Sequence, residues 1–192
     1  MVGAKEPMPP QLAAKVKGID GKTQDLDLRH LCLGTRTFHL EPALRSLALK
    51  RLELMGNYLG SKGLQALAQL RLKSLQFLGL SWNGLGDEGC RHLAKIVQAN
   101  HGLRHLDLRY NRIGDAGACC LARAVKGHEL EILDLQDNSV CDSGAAALYN
   151  ACGQRLQLKL RCNSVPLQRL LELQEELQVR LEEEHAAALE RK

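Results

Sequence analysis

Leucines recur along the chain in a pattern that predicts alternating strands and helices. Between about residues 49 and 165, one unit repeats: a leucine, two variable residues, then two leucines separated by one residue. Alternation at this spacing puts the paired leucines on one face of a β-strand and the residue between them on the other face. The stretches CRHLAKIVQA and ACCLARAV, which follow two of these units, carry apolar residues at helical spacing instead. The chain is therefore expected to fold as repeated strand–helix units.

Each unit also carries an asparagine three residues after its second strand leucine. These asparagines are Asn57, Asn83, Asn111, Asn138 and Asn163, and they lie 26, 28, 27 and 25 residues apart. An asparagine amide at the end of a strand can bond backbone groups that would otherwise be buried without partners. A degenerate earlier copy is predicted at Leu28, Leu31 and Leu33 with Arg36 in the asparagine position. Because Arg36 precedes Asn57 by only 21 residues, the first turn is predicted to be irregular.

The pattern L-x-x-L-x-L-x-x-N-x-L resembles the consensus of the leucine-rich repeat over about residues 26 to 166. The continuations NYLGSKG, NGLGDEG and NRIGDAG are similar to the ribonuclease-inhibitor-like subtype of that repeat. The resemblance implies an α/β solenoid, with a curved parallel sheet on the concave side, helices on the convex side and a long C-terminal capping helix. It also implies a non-catalytic protein–protein interaction module or scaffold that binds a partner protein on its concave face.

Both ends of the chain depart from the repeat, as expected where a solenoid must close its core. We expect an N-terminal segment or cap over residues 1–22, with a short helix after Pro9 and Pro10, and an array of about six repeats over residues 23–165. A C-terminal helix over residues 166–192 is expected to begin at Pro166, since proline suits a first helical turn.

This C-terminal helix is predicted to close the core through one side and to extend beyond the array. Its leucines at helical spacing are Leu167, Leu170, Leu171, Leu177 and Leu181. Glu176 and Arg180 are four residues apart and are expected to form an ion pair along the helix. At 1.5 Å per residue the helix would be roughly 37 Å long. Its distal half is therefore expected either to be solvated or to provide a second contact with a partner.

The strand residues between the leucines face outwards and supply the candidate site. The predicted partner-binding residues are Phe77, Trp82, His105, Asp107, Arg109, Tyr110, Asp134, Asp137 and Arg161. Trp82 and Tyr110 each directly precede a repeat asparagine, so they should lie side by side on adjacent units. Because Trp, Tyr and Arg are common interface anchors, these two with Phe77 and Arg109 are predicted to form a hot spot. The alternative is that the aromatic pair only covers the rim of the sheet.

Acidic residues are expected in the middle of this face, with basic residues on its flanks. Asp107, Asp134 and Asp137 are expected to make its middle acidic, with Lys159 and Arg161 beside them. This mixture favours a partner that carries charges of both signs, although charged side chains at a surface also serve solubility alone.

Composition narrows the function classes further. The net charge of +4 without a clustered basic run argues against nucleic acid, and no apolar stretch reaches the roughly 20 residues of a membrane helix. The N-terminus lacks the apolar core of a secretory signal, so a cytoplasmic location is expected. The seven cysteines are odd in number and include no C-x-x-C pair, so we expect reduced thiols that are mostly buried.

No catalytic motif is present. The sequence has no phosphate loop, nucleophile elbow or zinc-protease motif, so we expect no enzymatic activity, no cofactor and no metal.

Two alternative functions follow from resemblance alone. Short arrays ending in a long helix are similar to actin-end-capping and axonemal leucine-rich proteins, which implies a structural subunit of a cytoskeletal or ciliary assembly and a matching location. The repeat subtype also resembles that of the Ran-activating family, which implies a GTPase regulator.

Overall fold

Strands and helices alternate throughout the array. The computed structural model describes residues 8–40, 44, 47–70 and 72–190. The strands are β1 (Asp25–Asp27), β2 (Arg51–Glu53), β3 (Phe77–Gly79), β4 (His105–Asp107), β5 (Ile132–Asp134) and β6 (Gln157–Lys159). The helices are α1 (Pro10–Lys17), α2 (Gly60–Gln69), α3 (Gly86–Ala99), α4 (Asp115–Val125), α5 (Asp142–Ala151) and α6 (Leu167–Glu190), and a 3₁₀ helix spans Gly34–Leu40.

The strands form one open parallel sheet in chain order, as the sequence pattern predicts. Every neighbouring pair is parallel, and the central leucines of successive strands face each other. This column consists of Leu26, Leu52, Leu78, Leu106, Leu133 and Leu158. The first five are buried, whereas Leu158, in the last strand, is only half-buried. The α/β leucine-rich-repeat solenoid with a long C-terminal helix is thus confirmed.

The return helices pack on one another through a repeated backbone contact. The Asp87 carboxylate, in the first turn of α3, accepts hydrogen bonds from the N–H groups of Gly114 (2.7 Å) and Gly117 (2.9 Å) at the start of α4. Asp115 does the same for Cys141 and Gly144 at the start of α5. A carboxylate near exposed helix N–H groups satisfies donors that lack a partner within the helix. A side chain at Gly117 would collide with this carboxylate, which explains the second glycine of the NRIGDAG continuation.

The asparagines connect adjacent units, as predicted. The buried Asn111 amide donates to the carbonyl of Leu80 in the preceding unit and to that of Leu108 in its own, both at 2.9 Å. Its Oδ1 accepts from the N–H groups of Asn83 (3.0 Å) and Leu85 (3.4 Å). Each asparagine therefore satisfies backbone groups of two turns at once.

The register predicted for the first unit is wrong. β1 pairs Leu26 with Leu52, and Asn57 accepts from the N–H groups of Leu31 and Leu33, where Asn83 accepts from those of Asn57 and Leu59. Leu31 therefore stands in the asparagine position, 26 residues before Asn57 rather than the 21 counted from Arg36. The repeat asparagine donates back to the preceding unit, and no strand precedes β1 within the described residues, which explains why leucine serves there. The short helix expected at the N-terminus is α1, and its Leu12 is buried in the core.

Helix α6 closes the core partly as predicted, because Leu170 and Leu177 pack against it. Leu173, which was not among the predicted contact residues, is buried, whereas Leu167 and Leu171 are 72% and 45% exposed. Arg180 donates to the carbonyls of Tyr149, Asn150 and Cys152 at the end of α5 instead of pairing with Glu176. Carbonyls at the end of a helix lack the partners of the helix interior, and a guanidinium with several donors can reach all three, including the Tyr149 carbonyl that also accepts from the Cys152 N–H.

The distal part of α6 extends past the array. Residues 182–186 are exposed, and Val179 and Leu189 are more than half exposed. Among the described helices, none is both long and apolar enough to span a membrane.

Candidate functional site

A column of residues in the left-handed conformation follows the ends of the strands. The residues that directly precede the asparagine position all have positive φ: His30, Gly56, Trp82, Tyr110, Asp137 and Cys162. The N–H of Trp82 donates to the Arg109 carbonyl, and the N–H of Tyr110 donates to the Gln136 carbonyl. Each left-handed turn thus aims one backbone N–H at the next unit, and its side chain is directed away from the core. This conformation is uncommon for bulky residues.

Trp82 and Tyr110 form a stacked, solvent-exposed pair. Their ring centroids are 4.1 Å apart and their planes differ by 18°. Trp82 is 54% exposed and Tyr110 is 39% exposed. The Tyr110 hydroxyl is hydrogen-bonded to the half-buried Asp137 carboxylate, which raises the pKa of that tyrosine. The predicted side-by-side arrangement is confirmed, and Asp137 extends it by one unit.

Phe77 belongs to a second group rather than to this pair. The Arg51 guanidinium lies 3.5 Å from the centre of the Phe77 ring, and the His105 ring lies 4.6 Å from it at 58°. Arg51 also pairs with Glu53, whose carboxylate occupies the space where a side chain at Gly79 would lie. Burial lowers the pKa of His105, so the imidazole is predominantly neutral at neutral pH. The expected single hot spot is therefore divided into two clusters of contacts.

The acidic middle of the face is covered by cations. The side chains of Asp107 and Asp134 are only 10% and 8% exposed. Arg109 holds Asp107 through two hydrogen bonds, of 3.0 Å and 2.8 Å, which raises the pKa of the guanidinium. Burial raises the pKa of Asp134, although Arg109 (3.8 Å) and Lys159 (3.9 Å) approach its carboxylate and oppose the shift. The expected acidic middle of the face is therefore wrong for Asp107 and Asp134: Arg109 of the same unit covers Asp107, and the units on either side supply the cations beside Asp134.

Two further positions were not among the predicted partner-binding residues. Ser81, which directly precedes the exposed Trp82, is buried, and its hydroxyl has no hydrogen-bond partner. Tyr58, which was not predicted, is 74% exposed and also left-handed, with φ of 53°. Tyr58 directly follows Asn57, as Gly84 follows Asn83, so the repeat alignment could have identified it as a turn position. Arg161 is exposed, as expected.

The cysteines are free but not mostly buried. Cys90 and Cys152 are buried, Cys119 and Cys120 are half-buried, and the other three are exposed. Burial raises the pKa of the Cys152 thiol to about 11, so that thiol is unreactive at neutral pH. In the part of the chain that the structure describes, no three His, Cys, Asp or Glu side chains are grouped so that they could hold a metal ion.

The fold and the outward ladder of side chains define a repeat protein of the solenoid class. The leucine-rich-repeat family model matches four segments, residues 46–68, 71–94, 99–122 and 128–148. These four matches and the parallel solenoid support a leucine-rich-repeat array over residues 46–148. Repeats of this family generally mediate protein–protein interactions and are typically non-catalytic. A search of curated proteins found no match.

Proposed function

We propose that this protein is a non-catalytic interaction module or scaffold that binds a partner protein through the outward face of its sheet and the turns beside it. The observation that carries the proposal is the stacked pair of Trp82 and Tyr110, which offers a large, rigid aromatic surface to solvent. Aromatic anchors of this kind dominate the energetics of many protein interfaces.

The backbone conformation at the pair supports this proposal. Trp82 and Tyr110 have φ of 58° and 55°. Glycine and asparagine adopt this left-handed conformation at a lower energetic cost than residues with large aromatic side chains. The left-handed backbone itself is common to the whole column and so belongs to the fold. The two aromatic side chains are not required by the fold, because Gly56, Asp137 and Cys162 occupy equivalent positions. Strained residues that the fold does not need are candidates for function.

Charged groups next to the pair would define the orientation of the partner. Arg109 is held by Asp107 with 43% of its side chain exposed, and Arg161 lies exposed two units further along the face. Asp137 is half-buried beside Tyr110, one unit further along the column. Phe77, His105 and Asp134 remain part of the proposed face, with Asp107 and Asp134 acting through the cations that they position rather than by direct contact.

Replacing the pair tests this proposal. The double variant Trp82→Ala and Tyr110→Ala should lose the partners that co-purify with the wild-type protein from cell extract, measured by quantitative mass spectrometry. Tyr58→Ala is the matched control, since it removes an exposed left-handed tyrosine outside the pair. Circular dichroism should show unchanged folding for both. Unaltered capture by the double variant would contradict the proposal.

The same purification separates the alternative functions. Salt-resistant retention in a cytoskeletal pellet would favour a structural subunit, and accelerated GTP hydrolysis would favour a GTPase regulator.

We also propose that the array belongs to the ribonuclease-inhibitor-like subtype, because the intervals of 25 to 28 residues accommodate a full α-helix after each of β2 to β5.

A further inference from the structure

The last strand of the sheet has an unpaired edge. In the interior, the N–H of the second strand leucine always donates to the next unit: Leu80 donates to the Asp107 carbonyl, Leu108 to that of Asp134 and Leu135 to that of Lys159. The N–H groups of the left-handed column follow the same rule, and Asp137 donates to the Arg161 carbonyl. Leu160 and Cys162 are the equivalents in the last unit, and no strand follows β6 within the described residues. Their N–H groups therefore lie on an open edge.

Beside this edge lies a groove that α6 leaves open. Its volume is about 570 Å³, within the range of ligand-binding pockets. It is lined by Gln136, Tyr149, Gln157, Leu158, Lys159, Leu160, Arg161, Leu167, Leu170, Leu171 and Gln174. Leu158 is only half-buried here, although its five equivalents in the sheet are buried. Leu167 and Leu171 are exposed on the opposite wall. An apolar floor next to free backbone donors is the arrangement that binds an added strand.

The charges of the groove select an acidic occupant. Its lining includes Lys159 and Arg161 and contains no carboxylate. Arg161 is exposed and makes no ion pair with a described residue, whereas Lys159 lies 3.9 Å from Asp134 on one side only. An acidic residue in the same column of an added strand would lie on the other side of Lys159.

We propose that this groove binds an extended acidic segment of a partner protein, which adds to β6 as a seventh parallel strand. Continuing the columns of the sheet gives the required pattern: an aliphatic residue beside Leu158, a carboxylate beside Lys159 and a second aliphatic residue beside Leu160. The chain uses this pattern in its own strands, as in Leu106-Asp107-Leu108 and Leu133-Asp134-Leu135. The groove shares Arg161 with the proposed face but contains neither Trp82 nor Tyr110, and its occupancy does not depend on the function of that pair.

A synthetic peptide with the sequence of residues 130–138, LEILDLQDN, is a suitable probe because it contains the pattern, three acidic residues and no basic one. Binding to the full chain is measured by fluorescence anisotropy. Leu171→Glu and Arg161→Glu should each weaken binding about tenfold or more. The first places a negative charge next to the acidic peptide, and the second removes a positive charge that attracts it. Val179→Glu, at an exposed position of α6 outside the groove, should change it less than about twofold. Circular dichroism establishes that each variant is folded. If one of the two groove variants does not fold, the other still tests the proposal.

Methylation of single peptide amides tests the strand geometry. In β5 the Ile132 N–H points towards the preceding strand and the Leu135 N–H towards the following one. In a peptide strand added after β6, the N–H that corresponds to Ile132 would point towards β6, so its N-methylation should abolish binding. The N–H that corresponds to Leu135 would point away from the sheet, so its N-methylation should leave binding intact. Loss of binding with both methylated peptides would indicate displacement of β5, and the reverse result would place the peptide in front of β1; either outcome would overturn the proposal. Absence of binding at about 1 mM peptide, or self-association of the protein that the groove variants abolish, would overturn it as well.

Discussion

At the scale of single residues, the asparagines show how this sequence stabilises a stack of short strands. Asn111 is fully buried, and its amide makes hydrogen bonds to five backbone groups across adjacent units. Removing a buried partner of this kind leaves donors and acceptors without water or protein to bond, which is costlier than the hydrogen bonds are favourable. The repeat asparagine is thus a structural requirement, and the left-handed residue before it is the position where side chains vary freely.

Replacing Asn111 with alanine should lower the free energy of unfolding by about 2 to 4 kcal/mol, because several buried backbone groups lose their partner. Urea denaturation followed by circular dichroism measures the change. Asn150→Ala is the control, since Asn150 is an exposed residue near the end of α5. Equal stabilities for the two variants would contradict the structural role of the asparagine column.

Two aspartates of this sheet should respond to pH in opposite ways. Burial raises the pKa of Asp134, so its contribution to stability is complete below about pH 4, the unfolded value, and falls as pH rises through the folded pKa. Hydrogen bonding to Arg29 lowers the pKa of Asp27 to about 2, so its contribution is present above about pH 4 and is lost as pH falls towards 2.

Asp134→Asn should therefore be at least as stable as the wild type at pH 7 and lose this advantage at pH 3. Asp27→Asn should be less stable than the wild type at pH 7, and the difference should shrink towards pH 2. The Asp27 effect should be small, because this ion pair is about half exposed. Thermal unfolding at several pH values measures both, and the same sign of pH dependence for the two variants would show that burial does not dominate at Asp134.

At the scale of elements, α6 has two parts with different tasks. The part up to Leu181 contributes Leu173 to the core and Arg180 to the end of α5. The helical spacing predicted the helix itself, and two of the predicted leucines, Leu170 and Leu177, pack against the core, whereas the buried Leu173 was not predicted. Helical periodicity places several leucines on one broad side, and only the position of α5 and β6 decides which of them is covered. The same uncertainty does not affect the strands, because a period of two assigns each residue to one face.

Deleting residues 182–192 should change the melting temperature by less than about 2 °C, because residues 182–186 are exposed. Arg180→Ala should instead lower the free energy of unfolding by about 1 to 2 kcal/mol, since three helix-end carbonyls lose a charged donor. Differential scanning calorimetry of both variants gives the comparison. A large loss of stability in the deletion variant would mean that the distal part contributes to the fold.

At the scale of the whole molecule, the solenoid has unequal ends. Each unit contacts only its neighbours, so units in the middle are stabilised from two sides and terminal units from one. The first unit has a 3₁₀ helix and no asparagine, and the last leaves Leu158 half-buried. Stability should therefore be highest in the middle of the array.

Hydrogen exchange followed by mass spectrometry should show the slowest exchange in β3, β4 and β5, and faster exchange in α1, the 3₁₀ helix and the distal part of α6. Asn111→Ala should raise exchange most in the units on either side of it. Uniform protection from α1 to α6 would contradict this gradient and would indicate that the array unfolds as one unit.

The sequence alone determined the repeat, the faces of the strands, the asparagine column and the adjacency of Trp82 and Tyr110, because each depends on spacing along the chain. Only the tertiary structure decided that Leu26 begins the array, that cations of the units on either side cover Asp134, that Ser81 is buried and that β6 has an open edge. These properties depend on side chains and backbone groups from units about 26 residues away, whose positions relative to one another are fixed only when the units stack.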